Sequence, residues 1–522
     1  MKVTLVYPST LPGEKPEYGL PPMGILYIAA ELRRAGIDAG VIDADIEGLT
    51  VKETVDRIIA LEPDLVGFSV MTPQLPATLE ACFWLKELAP EIPIVIGGAH
   101  ISSTHTDVFM LSEHFDFAVT GEGELTMIEV CKAMGQGTLP DCLKDIKGVI
   151  YRDPLGLVVT NPPRSFYKEL DDFAPIDYGM VDVMKYKIPT LPGPPVVGLM
   201  ITRGCPFKCT YCDAPTTTGK KIRFHSPERA VADIVRLHEE FGVRGFSFRD
   251  STFTAKKKWV VEFCEKLIES GVDVAWRCNT RVDCVTEELL ALMKKAGCHT
   301  INFGVESGHP DILKRINKDV PEGQVERAHE WTNKLGIRTY TTFLIGCPGE
   351  TDETIRTSLE FAKKIRPSMA MFFVTIGYPG TEMYTEAVKE GLVEPRWWHT
   401  QGWDEGKSTA FEKRWGWSAD AGALTIPGFD AEAWQKRCTR EFYFRPQFIW
   451  DTLLFIVKNP YFLRHAVTLA LELLPIGKLR IPFFGKGGKV NEEAQKYSQC
   501  PSEPTKAYVK RDDADRRSID AG

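Results

Sequence analysis

Three cysteines lie within eight positions of one segment, "RGCPFKCTYCDAP". Cys205, Cys209 and Cys212 have the spacing CxxxCxxC and directly follow a predicted strand. Structural zinc favours four ligands in paired Cys or Cys/His spacings, and neither Asp213 nor His225 makes a standard fourth ligand. A thioredoxin-like pair needs only CxxC and leaves Cys205 without a role. Three thiolates can instead hold three irons of a four-iron, four-sulfur cluster and leave the fourth iron open. A cluster or zinc ion with a purely structural role is the alternative.

The second half of the chain alternates predicted strands and helices, and this alternation positions the cysteine segment. Six strands are predicted in "VVGLMITRG", "RGFSFRD", "VDVAWRCNTR", "CHTINFGVES", "RTYTTFLIG" and "MAMFFVTIG". Among the intervening helices, "SPERAVADIVRLHEEFG" has Ser226 as N-cap, Pro227 in the first turn and Gly242 at its end. Six units are too few for a closed eight-unit barrel, so an open (β/α)6 partial barrel is predicted, with its chemistry at the C-terminal ends of the strands.

The first half alternates in the same way. Apolar runs such as "VTLVYP", "LVGFSV" and "IPIVIGG" predict buried parallel strands, and amphipathic runs between them predict helices. This pattern indicates a doubly wound, Rossmann-like (flavodoxin-like) α/β domain that binds ligands at the carboxyl ends of its strands. The expected organisation is an α/β domain over 1–145, a hairpin and Pro/Gly-rich linker over 146–190, the partial barrel over 191–396, a Trp-rich, basic, mostly helical region over 397–485 and a disordered tail over 486–522.

Chain length, net charge and apolar runs exclude several classes of function. A chain of 522 residues is expected to form two or three domains, and its net charge of -8 argues against nucleic acid as a partner. The opening "MKVTLVYP" is typical of a first strand rather than a secretory signal, and no run of 18 apolar residues predicts a spanning helix. A cytoplasmic location is predicted, where the 13 cysteines would be mostly reduced.

The cysteine segment resembles that of the radical S-adenosylmethionine (SAM) superfamily. The resemblance rests on CxxxCxxC with an aromatic residue, Tyr211, before the last cysteine, and it extends over about residues 190–390. It implies that Cys205, Cys209 and Cys212 bind a 4Fe-4S cluster whose open iron chelates SAM, with Tyr211 near the cofactor. One electron, from an external flavodoxin- or ferredoxin-type donor, would then cleave SAM to a 5′-deoxyadenosyl radical.

Other barrel segments, including "FSFRDSTFT" and "FLIGCPGET", extend the resemblance. Asp250 ends the second strand and is predicted either to accept hydrogen bonds from SAM or to cap the helix beginning at "TAKKKW". Gly346 and Gly349 are predicted to let the backbone approach a ligand closely.

Strand three and strand four supply further candidates for SAM binding. Arg277, Asn279 and Arg281 alternate along "RCNTRVD", so their side chains are predicted to point into the barrel. A buried arginine needs an anionic or polar partner. That partner is predicted to be a carboxylate of SAM or substrate, or else Glu306 at the end of strand four, in a structural pair.

The first domain resembles cobalamin-binding domains. Ser69 ends the third strand, in S-V-M rather than the usual Ser-x-Leu, and Gly97-Gly98 end the fourth. "TGEGE", with Gly121 and Glu122, fits the versions fused to radical SAM barrels. The Asp-x-His-x-x-Gly element that supplies a cobalt ligand is absent, which implies cobalamin bound base-off without a protein histidine. The alternative is a domain that has lost the cofactor and serves as a lid. The histidines after the glycine pair, at 100 and 105, are expected to be solvated rather than ligating.

Together the resemblances imply a cobalamin-dependent (class B) radical SAM enzyme of the methyltransferase or cyclase type. Methyl transfer to an unactivated carbon is the first hypothesis. The alternatives are cyclisation or rearrangement without methyl transfer, as in oxygen-independent tetrapyrrole ring closure, and a non-catalytic corrinoid-binding regulator. The substrate is left open as a small molecule, a lipid or a peptide. Residues 430–490 hold ten Lys/Arg against five Asp/Glu, and the apolar segment 442–474 is predicted to pack on the barrel or to lie on an anionic membrane surface.

Overall fold

Two sheets, one mostly and one entirely parallel, organise the computed structural model, which describes residues 1–137, 139–188, 190–191, 194–399 and 422–458. All of these residues belong to one compact unit, Met1–Leu473. The expectations for residues 400–421 and 459–485, and for the tail 486–522, lie outside the described residues. No helix in the described ranges is long and apolar enough to cross a membrane.

The first sheet has the strand order β2-β1-β3-β4-β5-β6-β7. Its strands are β1 (Lys2–Tyr7), β2 (Asp38–Asp43), β3 (Leu65–Ser69), β4 (Ile94–Gly97), β5 (Phe117–Val119), β6 (Val149–Arg152) and β7 (Val158–Thr160). Its helices are α1 (Met23–Arg34), α2 (Ala44–Glu47), α3 (Val51–Ala60), α4 (Leu75–Leu88), α5 (Ala99–Thr104) and α6 (Glu124–Met134). Strands β1 to β5 are parallel in the order 2-1-3-4-5, so the predicted flavodoxin-like arrangement is confirmed.

The hairpin β6–β7 is part of the first sheet. The sequence predicts a hairpin within 146–190, after the first domain, and in the structure β6 pairs antiparallel with β5, so the hairpin extends that sheet. The patterns of "KGVIYRD" and "LVVT" predict strands but do not show which sheet edge these strands join. That edge is formed by β5, 30 residues earlier in the chain.

The second sheet has the order β8-β11-β12-β13-β14-β15, and all of its pairings are parallel. Its strands are β8 (Val196–Leu199), β11 (Gly245–Phe248), β12 (Ala275–Thr280), β13 (Cys298–Glu306), β14 (Arg338–Ile345) and β15 (Met369–Val374), with a separate ribbon of β9 (Thr202–Arg203) and β10 (Arg223–Phe224). Its helices are α7 (Ala214–Thr218), α8 (Pro227–Phe241), α9 (Lys257–Glu269), α10 (Glu287–Lys295), α11 (Pro310–Arg315), α12 (Gln324–Leu335), α13 (Asp352–Ile365) and α14 (Glu382–Lys389). The outer strands β8 and β15 do not pair, so the predicted open six-unit barrel is confirmed.

Local signals set the helices as predicted. The Ser226 hydroxyl accepts a hydrogen bond from the backbone N–H of Arg229 at 3.2 Å, Pro227 begins α8, and Gly242 ends it in a left-handed conformation. Two C-terminal helices follow, which we name the first C-terminal helix (Ala431–Tyr443) and the second C-terminal helix (Pro446–Lys458). The first packs on β15, where the Tyr443 hydroxyl donates to the carbonyl of Ala370 at 2.8 Å.

The two halves share one hydrophobic core. Met23 and Tyr27 of α1 belong to the same buried cluster as the barrel residues Phe246 and Trp276. The Tyr27 hydroxyl also donates to the carbonyl of Met200 at 3.1 Å. The carboxyl edge of the first sheet is therefore held next to the mouth of the barrel.

Candidate functional site

The cysteine loop lies between β9 and α7, beyond the carboxyl end of β8. It begins at Gly204, where φ is +94° and a Cβ would overlap the carbonyl oxygen of Lys221, so only glycine fits. The loop is fixed by backbone bonds: the N–H of Cys205 donates to Gly219 at 3.2 Å, and that of Thr210 donates to Ile316 at 3.1 Å.

The three cysteines offer soft ligands in this one loop. Cys205 is buried, Cys209 and Cys212 are partly exposed, and all three thiols are free. Burial raises the pKa of the Cys212 thiol to about 11, and Asp213 and the other two cysteines add to the shift. Binding a metal there must therefore be coupled to loss of thiol protons. Across the described residues, no group of three or more His, Cys, Asp or Glu side chains is arranged to hold a metal ion. The fit to an iron–sulfur cluster rests on the donor chemistry, since free thiols are the ligands such clusters take.

Arg281 lies beside this loop rather than in the barrel interior. Strand β12 ends at Thr280, and the Arg281 guanidinium forms two 2.9 Å bonds to Asp283 and stacks on Phe207 at 4.1 Å. One of its nitrogens is 3.8 Å from the sulfur of Cys209. The predicted alternative in which this arginine pairs with Glu306 is wrong, because the arginine binds Asp283, two residues away in the same turn.

Glu306 is held by a lysine that the sequence did not indicate. Lys318 donates to its carboxylate at 2.9 Å, and Tyr211 donates to the same oxygen at 3.0 Å. Both the lysine and the glutamate side chains are at most 7% exposed. Glu306 has φ of +68°, and a Cβ on Gly304 would overlap its carboxylate and lie 2.6 Å from Lys318 Nζ. No periodic pattern marks Lys318, because it follows α11 in an irregular turn.

Burial and Glu306 raise the pKa of Tyr211, in that order, so its hydroxyl stays protonated and donates. The resulting trio of Tyr211, Glu306 and Lys318 joins the cysteine loop to the end of β13. It presents a charged, ordered surface next to the cluster ligands.

Asp250 is buried after β11 and is not a helix cap. Helix α9 begins at Lys257 with Lys256 as its N-cap, whereas one oxygen of Asp250 accepts a bond from the backbone N–H of Thr202. The other oxygen, Oδ2, has no partner among the described residues. Burial raises the pKa of this carboxyl to about 7 despite the bonds from Thr202. The predicted cap role is therefore wrong, and the ligand contact, which an unpartnered buried oxygen fits, stays a prediction.

The glycines of "GCPGE" approach protein rather than open space. A Cβ on Gly346 would lie 3.2 Å from Cβ of Ala431, and one on Gly349 would lie 2.6 Å from the guanidinium of Arg315. The backbone N–H of Gly346 donates to Glu350 at 2.7 Å. Close packing against protein therefore explains why glycine stands at both positions, and the structure gives no separate support for a SAM contact at Gly346.

The carboxyl edge of the first sheet brings Ser69 and the glycine pair together. Ser69 is in register with Gly97, and a Cβ on Gly98, where φ is +99°, would lie 3.2 Å from Ser69 Oγ and 2.7 Å from the backbone nitrogen of Val70. Gly121, with φ of +74°, faces space in which a Cβ would meet nothing within 4 Å. The edge is thus free of side chains over two strand ends, which fits a large ligand lying across it.

Two of the other residues predicted at this edge differ from expectation. His100 is buried, not solvated: its Nδ1 lies 3.0 Å from the Thr72 hydroxyl, and burial lowers its pKa to about 4. His105 is exposed. Glu122 binds the Arg223 guanidinium at 2.8 and 3.0 Å and lies 3.2 Å from Arg203. These contacts engage both oxygens of Glu122 and give it a structural role.

Comparison with known proteins agrees with this arrangement. The family model for the Radical SAM superfamily matches residues 199–362, and that for the B12 binding domain matches residues 10–131. An uncharacterized methyltransferase of Pyrococcus horikoshii, PH0819, is 33% identical over 75% of this chain and 84% of its own. The anaerobic magnesium-protoporphyrin IX monomethyl ester cyclase of Rubrivivax gelatinosus is 30% identical over 74% of this chain and 70% of its own.

Solved structures share the fold. The methyltransferase TsrM from Kitasatospora setae, determined with cobalamin and a [4Fe-4S] cluster bound, superposes with a TM-score of 0.60 and 20% identity over 75% of both chains. The cobalamin-dependent enzyme OxsB, with aqua-cobalamin and SAM bound, gives 0.59 and 21% identity over 71% of this chain and 52% of its own.

Proposed function

The chain belongs to the radical SAM superfamily, among the members that carry a B12-binding domain, and we propose that it transfers a methyl group to an unactivated carbon. Its cofactors are a 4Fe-4S cluster, SAM and cobalamin. The observation that carries the methyl-transfer proposal is the similarity to a methyltransferase at 33% identity over 84% of that protein's length. When bound, the cluster and SAM supply a radical that removes hydrogen from carbon, and cobalamin supplies the methyl group.

Different residues of the chain hold the cluster, bind SAM and hold cobalamin. Cys205, Cys209 and Cys212 hold the cluster, and Arg281 places a fixed positive charge 3.8 Å from one sulfur. Tyr211, Glu306, Asn279 and the free oxygen of Asp250 lie around the same rim and bind SAM. The open edge formed by Ser69, Gly97, Gly98 and Gly121 holds cobalamin, and the common core of the two halves keeps that edge over the barrel.

A cyclase is the second candidate. The Rubrivivax gelatinosus relative is a cyclase, and this chain is 30% identical to it over 70% of its length. The two activities differ in their SAM products: methyl transfer forms S-adenosylhomocysteine in addition to 5′-deoxyadenosine, whereas cyclisation needs only the radical.

The test is product analysis on enzyme purified anaerobically with cobalamin supplied. Methyl transfer predicts about four irons, about one cobalt and both SAM products. Cys209→Ala should abolish 5′-deoxyadenosine formation and leave the first domain folded, whereas Cys142→Ala, a partly exposed cysteine outside the loop, should retain it. Formation of 5′-deoxyadenosine alone would favour the cyclase. Absence of both products under strong reductant would favour a non-catalytic corrinoid-binding protein.

The partners follow from this chemistry and from one exposed helix. We propose a flavodoxin- or ferredoxin-type electron donor and a cytoplasmic enzyme that contacts an anionic membrane through the second C-terminal helix. That helix exposes Trp450 (60%), Leu453 (52%) and Val457 (81%) on one side, and Arg445 precedes it. Apolar residues beside basic ones are typical of interfacial helices. The remainder of the predicted contact segment, 459–474, lies outside the described residues.

A further inference from the structure

The inner face of the barrel is open to small molecules. Along β12, β13 and β14 the inward side chains of Arg277, Asn279, Asn302, Tyr340 and Thr342 are partly exposed, whereas most of the residues alternating with them are buried. The interior of a closed eight-stranded barrel is filled by side chains. This open barrel instead keeps a lumen lined by polar groups.

Arg277 carries an uncompensated charge in that lumen. Its one side-chain hydrogen bond goes to the hydroxyl of Thr190 at 3.1 Å, and its Nε has no partner among the described residues. Burial, and then the nearby Arg249, lower its pKa to about 10. A guanidinium inside the barrel without a counter-ion among the described residues costs free energy, so we expect a ligand to supply that counter-ion.

Arg249 adds a second positive charge to the same face. Ser247 is in register with Arg277, so both side chains point inward, and Arg249 directly follows the end of β11 at Phe248, with its side chain exposed. Its Cγ lies 3.6 Å from the position of a Cβ on Gly198, which faces inward from β8. Within the described ranges Arg249 forms no ion pair. The hydroxyl of Ser247 is also without a partner there.

The remaining groups around Arg277 do not neutralise it. Asn302 donates to Asn279 at 3.0 Å, which leaves its own carbonyl oxygen free. Tyr340, on β14, keeps its proton, because burial raises its pKa to about 12. The carboxylate of Glu306 on β13 is already paired with Lys318 at 2.9 Å. Apart from Asp250, whose Oδ2 is also without a partner, the barrel offers two cations, one free amide oxygen and no unpaired carboxylate among the described residues.

We propose that the substrate carries an anionic oxygen group, a carboxylate or a phosphate, that is bound in the lumen between Arg277 and Arg249. Guanidinium groups bind both anions through paired N–H bonds. The free oxygen of Asn302 accepts a bond from a hydroxyl or amine next to that group. The inference rests on the proposed function only in identifying the ligand as substrate.

We expect this site to be separate from the one that binds the carboxylate of SAM. Arg277 precedes Arg281, the arginine beside the cysteine loop, by four residues, and Asn279, assigned to SAM above, lies between them. An anion response that persists while SAM is bound would establish the separation, and loss of the response on SAM binding would assign the site to the SAM carboxylate instead.

The test measures the thermal midpoint of the anaerobically purified holoenzyme in sodium phosphate, sodium acetate or sodium chloride at one ionic strength. Phosphate or acetate should raise the midpoint of the wild type by about 2 °C over chloride, with SAM absent or present. Arg277→Met should lose this response while keeping or raising the midpoint in chloride, because a costly unpaired charge is removed. Arg277→Lys should retain part of the response.

The control is Arg57→Met, which removes a surface arginine paired with Glu47 and should respond to anions as the wild type does. A response to phosphate alone would indicate a phosphorylated substrate, and one to acetate alone a carboxylate. The proposal is overturned if the wild type does not respond, if Arg277→Met responds fully, or if Arg277→Met loses several degrees in chloride. Because SAM cleavage is assayed separately, none of these results alters the assignment of the reaction.

Discussion

Buried carboxylates near the barrel mouth occupy two kinds of environment. Glu306 is paired with Lys318 at 2.9 Å. Asp250 and Glu350 have no ion-pair partner among the described residues, and burial raises the pKa of each to about 7 despite hydrogen bonds from backbone N–H groups. Carboxyl groups of the second kind make the stability of the protein depend on pH.

Glu350→Gln tests this at one residue. Glu350 is 2% exposed and accepts bonds from Gly346 and Cys347, which an amide oxygen can also accept. Because folding raises the pKa of Glu350 from 4.5 to about 7, its protonation stabilises the folded state most below pH 4.5. This contribution to the free energy of unfolding is lost as the pH rises through about 7. The variant should therefore gain stability relative to the wild type between pH 5 and 8, by up to about 3 kcal/mol.

Urea unfolding at a series of pH values measures this difference. Glu129→Gln is the matched control, because Glu129 is 47% exposed and pairs with Arg164, so its difference from the wild type should stay within about 1 kcal/mol. A difference for Glu350→Gln that does not change with pH would contradict the buried, uncharged environment.

At this scale the sequence singles out the cysteines but not the partners of the charged residues. The three cysteines stand out because spacing alone defines the motif, and their role as cluster ligands stays a prediction. The pairing of Arg281 with Asp283 could not be predicted, since it depends on where β12 ends, and β12 ends one residue before Arg281. Lys318 lies 12 residues from Glu306 and meets it only because α11 and its following turn fold back over β13.

At the scale of elements, periodicity was enough to identify every strand of both parallel sheets. Buried parallel strands are nearly continuous apolar runs, and the helices between them carry clear caps, as at Ser226 and Gly242. The hairpin β6–β7 was predicted as a hairpin but not as part of the first sheet, because the pattern that identifies a strand does not specify the strand it pairs with. The start of α9 was placed too early, since Asp250 is a plausible cap by type but bonds to the backbone of Thr202.

The second C-terminal helix carries the prediction that belongs to this scale. A charge on its exposed apolar side should weaken binding to anionic vesicles, because buried apolar area and basic charge together drive interfacial binding. Trp450→Glu combined with Leu453→Glu should reduce co-sedimentation with phosphatidylglycerol-containing vesicles at least tenfold. Neutral phosphatidylcholine vesicles should bind the wild type more weakly.

Leu155→Glu is the control for this experiment. Leu155 is 84% exposed in the turn of the hairpin β6–β7, so the substitution adds an equal charge at an apolar surface residue elsewhere. If it reduces vesicle binding as much as the helix substitutions do, net charge rather than the helix controls binding. If the wild type does not bind anionic vesicles, the membrane contact is rejected.

At the scale of the whole molecule, buried ion pairs join the two halves. Arg203 and Arg223, on the ribbon of the second half, bind Glu122 and Glu124 of the first, and all four side chains are at most 7% exposed. A second junction joins Asp107 to Trp398 at 2.6 Å. These contacts link residues 79 to 291 positions apart, so no local pattern in the sequence could have revealed them.

Glu122→Ala distinguishes a structural role for this carboxylate from a cobalamin contact. The substitution leaves Arg203 with Glu124 alone and removes the bidentate partner of Arg223, so it should cost about 3–5 kcal/mol in unfolding free energy, with or without cobalamin. Glu129→Ala, at an exposed pair on the same α6 region, should cost under about 1 kcal/mol. Denaturant unfolding of both variants with cobalamin withheld and supplied measures the difference. Unchanged stability of cobalamin-free Glu122→Ala, with loss of bound cobalt, would instead show that the carboxylate serves the cofactor and that the junction relies on Glu124.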